Sequence, residues 1–249
     1  MLIGCAAGRG GHASGETAKT RVVGLGMIHG EHRSSSAYSV ERIQDAVRRI
    51  RPDAVLCEIP PDRLAAAREE FDRTGTITEP RVRVFPEYVD ALFPLTREMR
   101  FEIVPCAGWT KAISDDRAAK LREWATTRPA ETAEVQGADA ESDRALAAES
   151  AALGLTPDHP LFIHSEAYDR ITKRGLEPYD RLFNADLGLG GWSNINLAHY
   201  RLISDALDAR SGQGQTVLIM FGAGHKYWFL ERLVGRADVE IVDARESFR

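Results

Sequence analysis

Two short β-favouring runs separated by one amphipathic segment constrain the fold of this chain most strongly. The run 21–25 is apolar and ends in glycine-rich sequence, and the run 53–59 is almost continuously apolar. Between them, apolar residues recur at helical spacing over 40–50, with Ser39 as an N-cap and Pro52 as a stop signal. A strand, a helix and a strand within about 40 residues form a βαβ unit, which predicts an α/β fold.

Further patterns of the same two kinds continue along the chain. They predict helices from Asp62 onward and over 86–100, 194–209 and 227–234, and strands over 101–105, 216–221 and 239–242. We therefore expect a single α/β domain over residues 21–249, in which a mixed central sheet is flanked by helices.

A helical insertion of about 111–192 is expected within this domain. Residues 111–150 are rich in alanine and charge, which predicts one or two exposed helices with soft breaks near Pro129 and Gly137. The stretch 155–192 is otherwise irregular, with a helix near 161–173 and a glycine-rich loop before Trp192. We expect little tightly packed core in the first of these two stretches.

Residues 1–20 carry glycine, serine and polar residues with little to bury, which predicts a flexible leader. The segment Leu2-Ile3-Gly4-Cys5 resembles the lipobox of bacterial lipoproteins, although a working signal needs a longer apolar region before the cysteine. Either the true start lies upstream and Cys5 attaches the protein to a membrane of the cell envelope, or the match is chance and the protein is cytoplasmic.

Charge and cysteine content exclude several classes of protein. The formal net charge of −5 argues against a general nucleic-acid partner, which would require a basic surface. The three cysteines form no Cys-x-x-Cys pair and are widely spaced, so neither a zinc ribbon nor a disulfide scaffold is expected. Cys57 and Cys106 lie in apolar surroundings, which predicts two buried thiols.

Polar residues follow three of the predicted strands. His29 follows the first strand after Gly26, Glu58 ends the second, and His225 follows the strand over 216–221 after Gly222. In α/β sheets, ligands bind beyond the carboxyl ends of the strands. Two imidazoles and a carboxylate that meet there could hold a divalent metal or act as acid and base.

Other histidines and glycines carry weaker signals. Glu31 and His32 follow His29 and could add a ligand, but a solvated loop is the favoured interpretation. His164 and His199 fall in predicted helices and are expected to be structural. The pair Gly24 and Gly26 lacks the third glycine of a dinucleotide-binding fingerprint, so this interpretation is discounted.

With these residues in view, the chain resembles the TraB/PrgY/GumN/Tiki family, which belongs to a superfamily with erythromycin esterases and ChaN-like haem-binding proteins. The family is marked by two Gly-x-x-His motifs with a glutamate and an arginine, matched here by His29, His225, Glu58 and Arg63. The resemblance covers residues 21–67 and 216–235. It implies an α/β domain of the erythromycin esterase and ChaN type.

The resemblance also implies two hydrolytic chemistries. Tiki-type members look like metal-dependent proteases, whereas erythromycin esterases use a histidine as general base without metal. We favour hydrolysis of a peptide or ester bond in a peptide or small-molecule substrate, with Mn²⁺, Co²⁺ or Zn²⁺ held by His29, Glu58 and His225. Arg63 would anchor a substrate carboxylate, stabilise an oxyanion or pair with Glu58. A haem or metal carrier that uses the same histidines, and an inactive scaffold, are the alternatives.

Overall fold

A computed structural model of the chain describes residues 18–249, and a five-stranded sheet lies at its centre. The strands are β1 (Thr20–Met27), β2 (Ala54–Cys57), β3 (Glu102–Pro105), β4 (Thr216–Gly222) and β5 (Val239–Val242). Their order across the sheet is β3-β2-β4-β1-β5. The predicted α/β class, with a central sheet flanked by helices, is confirmed.

The strands of this sheet all pair in parallel, whereas the sequence predicted a mixed sheet. Each strand is followed by a helical connection before the next strand begins, and such a crossover returns the chain to the same end of the sheet. The carboxyl ends of all five strands therefore lie at one edge.

Helices cover both faces of the sheet. They are α1 (Val40–Ile50), α2 (Pro61–Thr74), α3 (Phe93–Leu95), α4 (Lys111–Thr127), α5 (Pro129–Ala152), α6 (Pro160–Ile163), α7 (Glu166–Leu187), α8 (Trp192–Asp208) and α9 (Ala223–Leu233). Helix α1 has the predicted bounds, because the Ser39 hydroxyl accepts a hydrogen bond from the Arg42 amide and Arg51 ends the helix in a left-handed conformation.

The predicted helix over 86–100 is shorter and is mainly of another type. A π-helical turn spans Glu87–Leu92 and runs directly into α3. This wider turn directs Glu87 and Tyr88, both fully buried, towards the sheet. Turns of this kind occur frequently at functional sites.

The insertion between β3 and α8 is more regular than predicted. Helices α4 and α5 are separated at Arg128 and Pro129 as expected, but α5 continues through Gly137. The expectation of an irregular stretch over 155–192 is wrong, because α7 is a helix of 22 residues that contains Gly175 and Pro178. Gly175 is a packing site and not a break, since a Cβ there would lie 2.0 Å from the Ser142 hydroxyl of α5.

Side chains of the strands form two apolar clusters, one on each face of the sheet. One cluster packs the sheet against α1, α2 and the segment 88–95, and the other packs it against α8 and α9. Cys57 and Cys106 are buried free thiols, as predicted. Within residues 18–249, no helix is long and apolar enough to cross a membrane.

The last residues of the predicted leader take part in β pairing. Residues 1–17, including Cys5, lie outside the described residues. Ala18 forms a bridge with Gln213, and the buried Thr20 begins β1. Strand β1 therefore begins one residue before the predicted strand, where Thr20 pairs with Val239 of β5.

Candidate functional site

The order of the strands brings the three predicted polar positions to one part of the sheet edge. Strand β4 lies between β1 and β2, with Met27 opposite Gly222 and Cys57 opposite Met220. His29 and Glu58 therefore flank the start of α9 from its two sides. A common location was expected from the sequence, but the neighbouring order of these strands was not.

The first glycine of each Gly-x-x-His motif makes room for the other motif. A Cβ on Gly26 would lie 2.9 Å from the Cα of Ala223 in the second motif. A Cβ on Gly222 would lie 2.6 Å from Nε2 of His29 in the first. A methyl group at either position would therefore push the two motifs apart, which gives both glycines a steric reason.

Glu58 is the buried carboxylate at the centre of this edge. Its Oε2 accepts a hydrogen bond of 3.0 Å from the amide of Gly222, and its Oε1 lies 3.9 Å from Nε2 of His225. The Tyr88 hydroxyl accepts from the Glu58 amide and donates to the carbonyl of Met220, which ties the ends of β2 and β4 together. Burial raises the pKa of Glu58, and the neighbouring His29 and the Gly222 amide oppose that rise.

His225 lies in the first turn of α9, which begins at Ala223 and therefore earlier than predicted. The amide of Asn196 donates to the carbonyl of Trp192, so its Oδ1 accepts a hydrogen bond of 2.7 Å from Nδ1–H of His225. The Nε2 of His225 is then the unprotonated nitrogen and faces Glu58. Burial lowers the pKa of His225, and the neighbouring His199, His29 and Arg117 disfavour its charged form further.

His29 occupies the other side of Gly222. It adopts a left-handed backbone conformation with φ of 51°, which is rare for a residue with a side chain and stores strain of about 1–3 kcal/mol. Its Nδ1 lies 2.7 Å from Oε1 of the buried Glu87, so Nδ1–H donates and Nε2 is directed at Gly222. Burial lowers the pKa of His29, but the hydrogen bond to Glu87 and the charges of Glu87 and Glu58 raise it above its ordinary value overall.

His199 joins this site although its sequence position predicted a structural role. Ligand atoms of Glu58, His199 and His225 lie within 4.8 Å of one another, and all three residues are buried. This cluster could hold a metal ion. The Nδ1 of His199 accepts a hydrogen bond of 2.7 Å from the amide of Gly108, so a neutral ring carries its proton on Nε2. That nitrogen has no hydrogen-bond partner within the described part of the chain.

Burial also keeps His199 neutral, because it lowers the pKa of this imidazole to about 3. Two of the three predicted ligands, Glu58 and His225, therefore belong to the buried cluster. His29 does not belong to this cluster, but its Nε2 is directed at Gly222, beside which His225 also lies.

Arg63, the fourth predicted residue, is directed elsewhere. Its guanidinium pairs with Asp62 at 3.1 Å and with Glu79 at 3.8 Å, and its side chain is 40% exposed. The structure gives no pairing with Glu58, because the first turn of α2 points this side chain towards the loop that holds Glu79.

Two histidines that neighbour the site in sequence or space have structural roles. The buried His32 accepts from the amide of Ile28 and bonds the carbonyl of Tyr38. His164 accepts from the amide of Gly26 and bonds the carbonyl of Pro160. Both nitrogens of each ring are occupied, so neither is available as a ligand.

Sequence reasoning missed the residues that orient the predicted ones. Asn196 and His199 lie three residues apart on one face of α8, and this spacing could have placed them together. No local signal marked Glu87 or Tyr88, because their direction depends on the π-helical turn.

Comparisons with known proteins identify no relative: no family model, no curated protein and no solved structure matches this chain. The family resemblance of the two Gly-x-x-His motifs therefore stays a prediction.

Proposed function

We propose that this chain is a hydrolase of a peptide or ester bond and that Glu58, His225 and His29 hold a divalent metal ion. One observation carries the proposal. Each of these two histidines donates its Nδ1–H to a side-chain oxygen, from Glu87 or from Asn196. In the neutral form of each ring, the Nε2 lone pair is thereby free on the side of Gly222 and Glu58, as in metal sites whose outer acceptors fix the histidine tautomer.

The third ligand in this proposal is His29 and not His199. The amide of Gly108 occupies the lone pair of Nδ1 in His199, so the inward nitrogen of this ring carries a hydrogen. A protonated Nε2 cannot bind a cation, but it can donate to a substrate oxygen. Glu58 and His225 are common to the buried cluster and to the proposed ligand set.

Imidazole and carboxylate ligands suit Mn²⁺, Co²⁺ and Zn²⁺ alike, so the donor set does not select among them. When bound, such an ion supplies a Lewis acid and a water of lowered pKa. The chain itself supplies the rest: Tyr88 fixes the strand ends, Glu87 and Asn196 hold the rings, and His199 offers one donor. Arg63 has no part in this proposal, because Asp62 and Glu79 hold its guanidinium.

The test combines metal analysis with turnover. The purified full-length chain should retain about one Mn²⁺, Co²⁺ or Zn²⁺ and cleave members of a peptide and ester panel, with loss of activity in chelator. His29→Ala and Glu58→Gln should lose the metal and the turnover, whereas Glu31→Gln, at an exposed carboxylate four positions from the sheet end, should lose neither. Glu87→Gln should weaken metal binding about 10–100-fold, since it removes an outer acceptor.

Three results would overturn the proposal. A metal-free chain without turnover on the whole panel would favour an inactive scaffold. A Soret band after incubation with haem, without hydrolysis, would favour a haem carrier. If His29→Ala retains the metal and His199→Gln loses it, the third ligand is His199 and not His29.

A metal-free esterase-like mechanism is the second candidate, and the pair His29 and Glu87 favours it. A buried carboxylate that holds the Nδ1 of a partly exposed imidazole, 39% of whose surface is accessible, is an arrangement typical of a general base. In that case chelator should leave turnover unchanged, and Glu87→Gln should lower kcat without any change in metal content.

A further inference from the structure

The helical insertion forms a cavity, open on one side to solvent, next to the candidate site. The cavity has a volume of about 380 Å³ and lies between α4, α5, α7 and the start of α8. Its apolar wall includes Leu121, Trp124, Tyr179, Phe183 and Trp192. This volume falls at the lower end of the range of small-molecule pockets and is large enough for one aromatic or branched side chain.

The wall of the cavity is shared with the site. The ring of Trp192 lines the cavity and also stacks on the ring of His225, with centroids 4.7 Å apart and planes 19° from parallel. Trp192 is held in place by the hydrogen bond from its Nε1 to the Tyr227 hydroxyl. A group that occupies the cavity would therefore lie one indole ring away from the proposed ligand His225.

One half-buried cation belongs to the same cavity. The guanidinium of Arg117 donates through Nε to the Tyr179 hydroxyl at 3.0 Å and lies 6.0 Å from the ring of Trp109. No carboxylate within residues 18–249 forms an ion pair with it, although Asp139 lines another part of the cavity. No group in the described part of the chain bonds the two terminal nitrogens of the guanidinium, so they are available to a planar anion, and a carboxylate matches this fork.

We infer that this cavity is the substrate pocket of the site and that it receives an acylated or peptidyl amino acid with a large apolar side chain and a free carboxylate. The apolar side chain would fill the cavity, and the carboxylate would pair with Arg117. The inference rests on the proposed function for the bond that is cleaved. Water would add across the acyl–nitrogen bond, so that the acyl carbon gains the hydroxyl group and the departing nitrogen gains the proton.

Equilibrium binding of two probes tests the pocket without any turnover. N-acetyl-phenylalanine and its uncharged amide would be titrated calorimetrically into the full-length chain, with and without Mn²⁺. The carboxylate should bind at least about tenfold more tightly than the amide, because only the carboxylate can accept two hydrogen bonds from Arg117. N-acetyl-alanine should bind more weakly than N-acetyl-phenylalanine, since it leaves the apolar wall uncovered.

Variants of helix α4 give the matched comparison. Arg117→Gln should bind both phenylalanine probes equally, and Arg117→Lys should regain part of the preference. Arg122→Gln removes the same charge from an exposed position of the same helix and should leave the preference unchanged. Retained helicity by circular dichroism would show that Arg117→Gln still folds.

Failure of the pocket and failure of the hydrolase give different results. Equal affinity of the carboxylate and the amide for the native chain, or an unchanged preference in Arg117→Gln, would overturn the pocket even if hydrolysis is observed. A tenfold preference that Arg117→Gln abolishes would support the pocket, and it should persist in Glu58→Gln, where turnover is lost.

Discussion

The parallel sheet and the two long helices of the insertion differ in how much side chain they bury. Every residue of β2 is buried, and six of the seven residues of β4 are buried. Helix α4 has no buried residue, and in α5 only Ser150 is buried. A sequence rich in alanine and charged residues is therefore sufficient to form α4 and α5, whereas β2 and β4 require continuous apolar sequence.

This difference in burial corresponds to different roles of the two regions in the proposed site. Groups that must be held within a few tenths of an ångström, such as Glu58 and His225, follow strands that are packed on both faces. The insertion contributes the cavity wall and the guanidinium of Arg117, and these groups need less exact positions. Binding groups placed on a closely packed scaffold are a common arrangement in functional sites.

The largest contrast is expected from the loss of one leucine side chain in each region. Leu218→Ala, at a fully buried position of β4, should lower the free energy of unfolding by about 3 kcal/mol, because it removes apolar contacts and leaves a cavity. Leu153→Ala, at the exposed end of α5, should change it by less than about 0.5 kcal/mol. Urea unfolding of both variants measures this, and equal losses would show that the insertion is as tightly packed as the sheet.

His164 joins the insertion to the sheet through the amide of Gly26, and it should make the stability of the chain depend on pH. Burial, assisted by the charge of Lys226, lowers the pKa of His164 to about 3, below the value of about 6.5 in an unfolded chain. Between these values the unfolded state binds the additional proton. The contribution of the neutral His164 to the free energy of unfolding is therefore fully present above about pH 6.5. It declines by up to about 1.4 kcal/mol per pH unit as the pH falls towards 3.

Unfolding of the metal-free chain between pH 7.5 and 5 checks this expectation. His164→Gln should reduce the slope of stability against pH, whereas His159→Gln, at a half-buried ring, should reduce it less. An unchanged slope in His164→Gln would show that other groups account for the acid sensitivity.

Local sequence signals predicted the parts of the fold that depend on local interactions. Ser39 and Pro52 bound α1 correctly because a cap and a stop act within a few residues of the chain. The positions of Glu58 and His225 were also predictable, since the strand runs and the α/β class together place strand ends at one edge. The α/β rules did not reveal that β4 lies between β1 and β2, and this order creates the site.

Signals that depend on tertiary contacts were misread. The stretch 155–192 was expected to be irregular beyond a helix near 161–173, but α7 continues through Gly175, which allows the close approach of α5 and α7. His199 was expected to have only a structural role, because a single helical histidine carries no information about which ring lies opposite. Glu87 was missed because only the π-helical turn directs it at His29.

The smallest expected effects come from replacing glycine by alanine, which should stabilise the insertion but destabilise the sheet. Gly137 lies in the middle of α5 with nothing within 4 Å of an added Cβ, so Gly137→Ala should stabilise the chain by about 0.5–1 kcal/mol through helix propensity. Gly26→Ala in β1 places a Cβ 2.9 Å from the backbone of Ala223, so it should destabilise by at least about 1 kcal/mol. Thermal unfolding of both variants measures the two signs. A loss of stability in Gly137→Ala would mean that α5 is covered at this position, and with it the contrast between an exposed insertion and a closely packed sheet edge would fail.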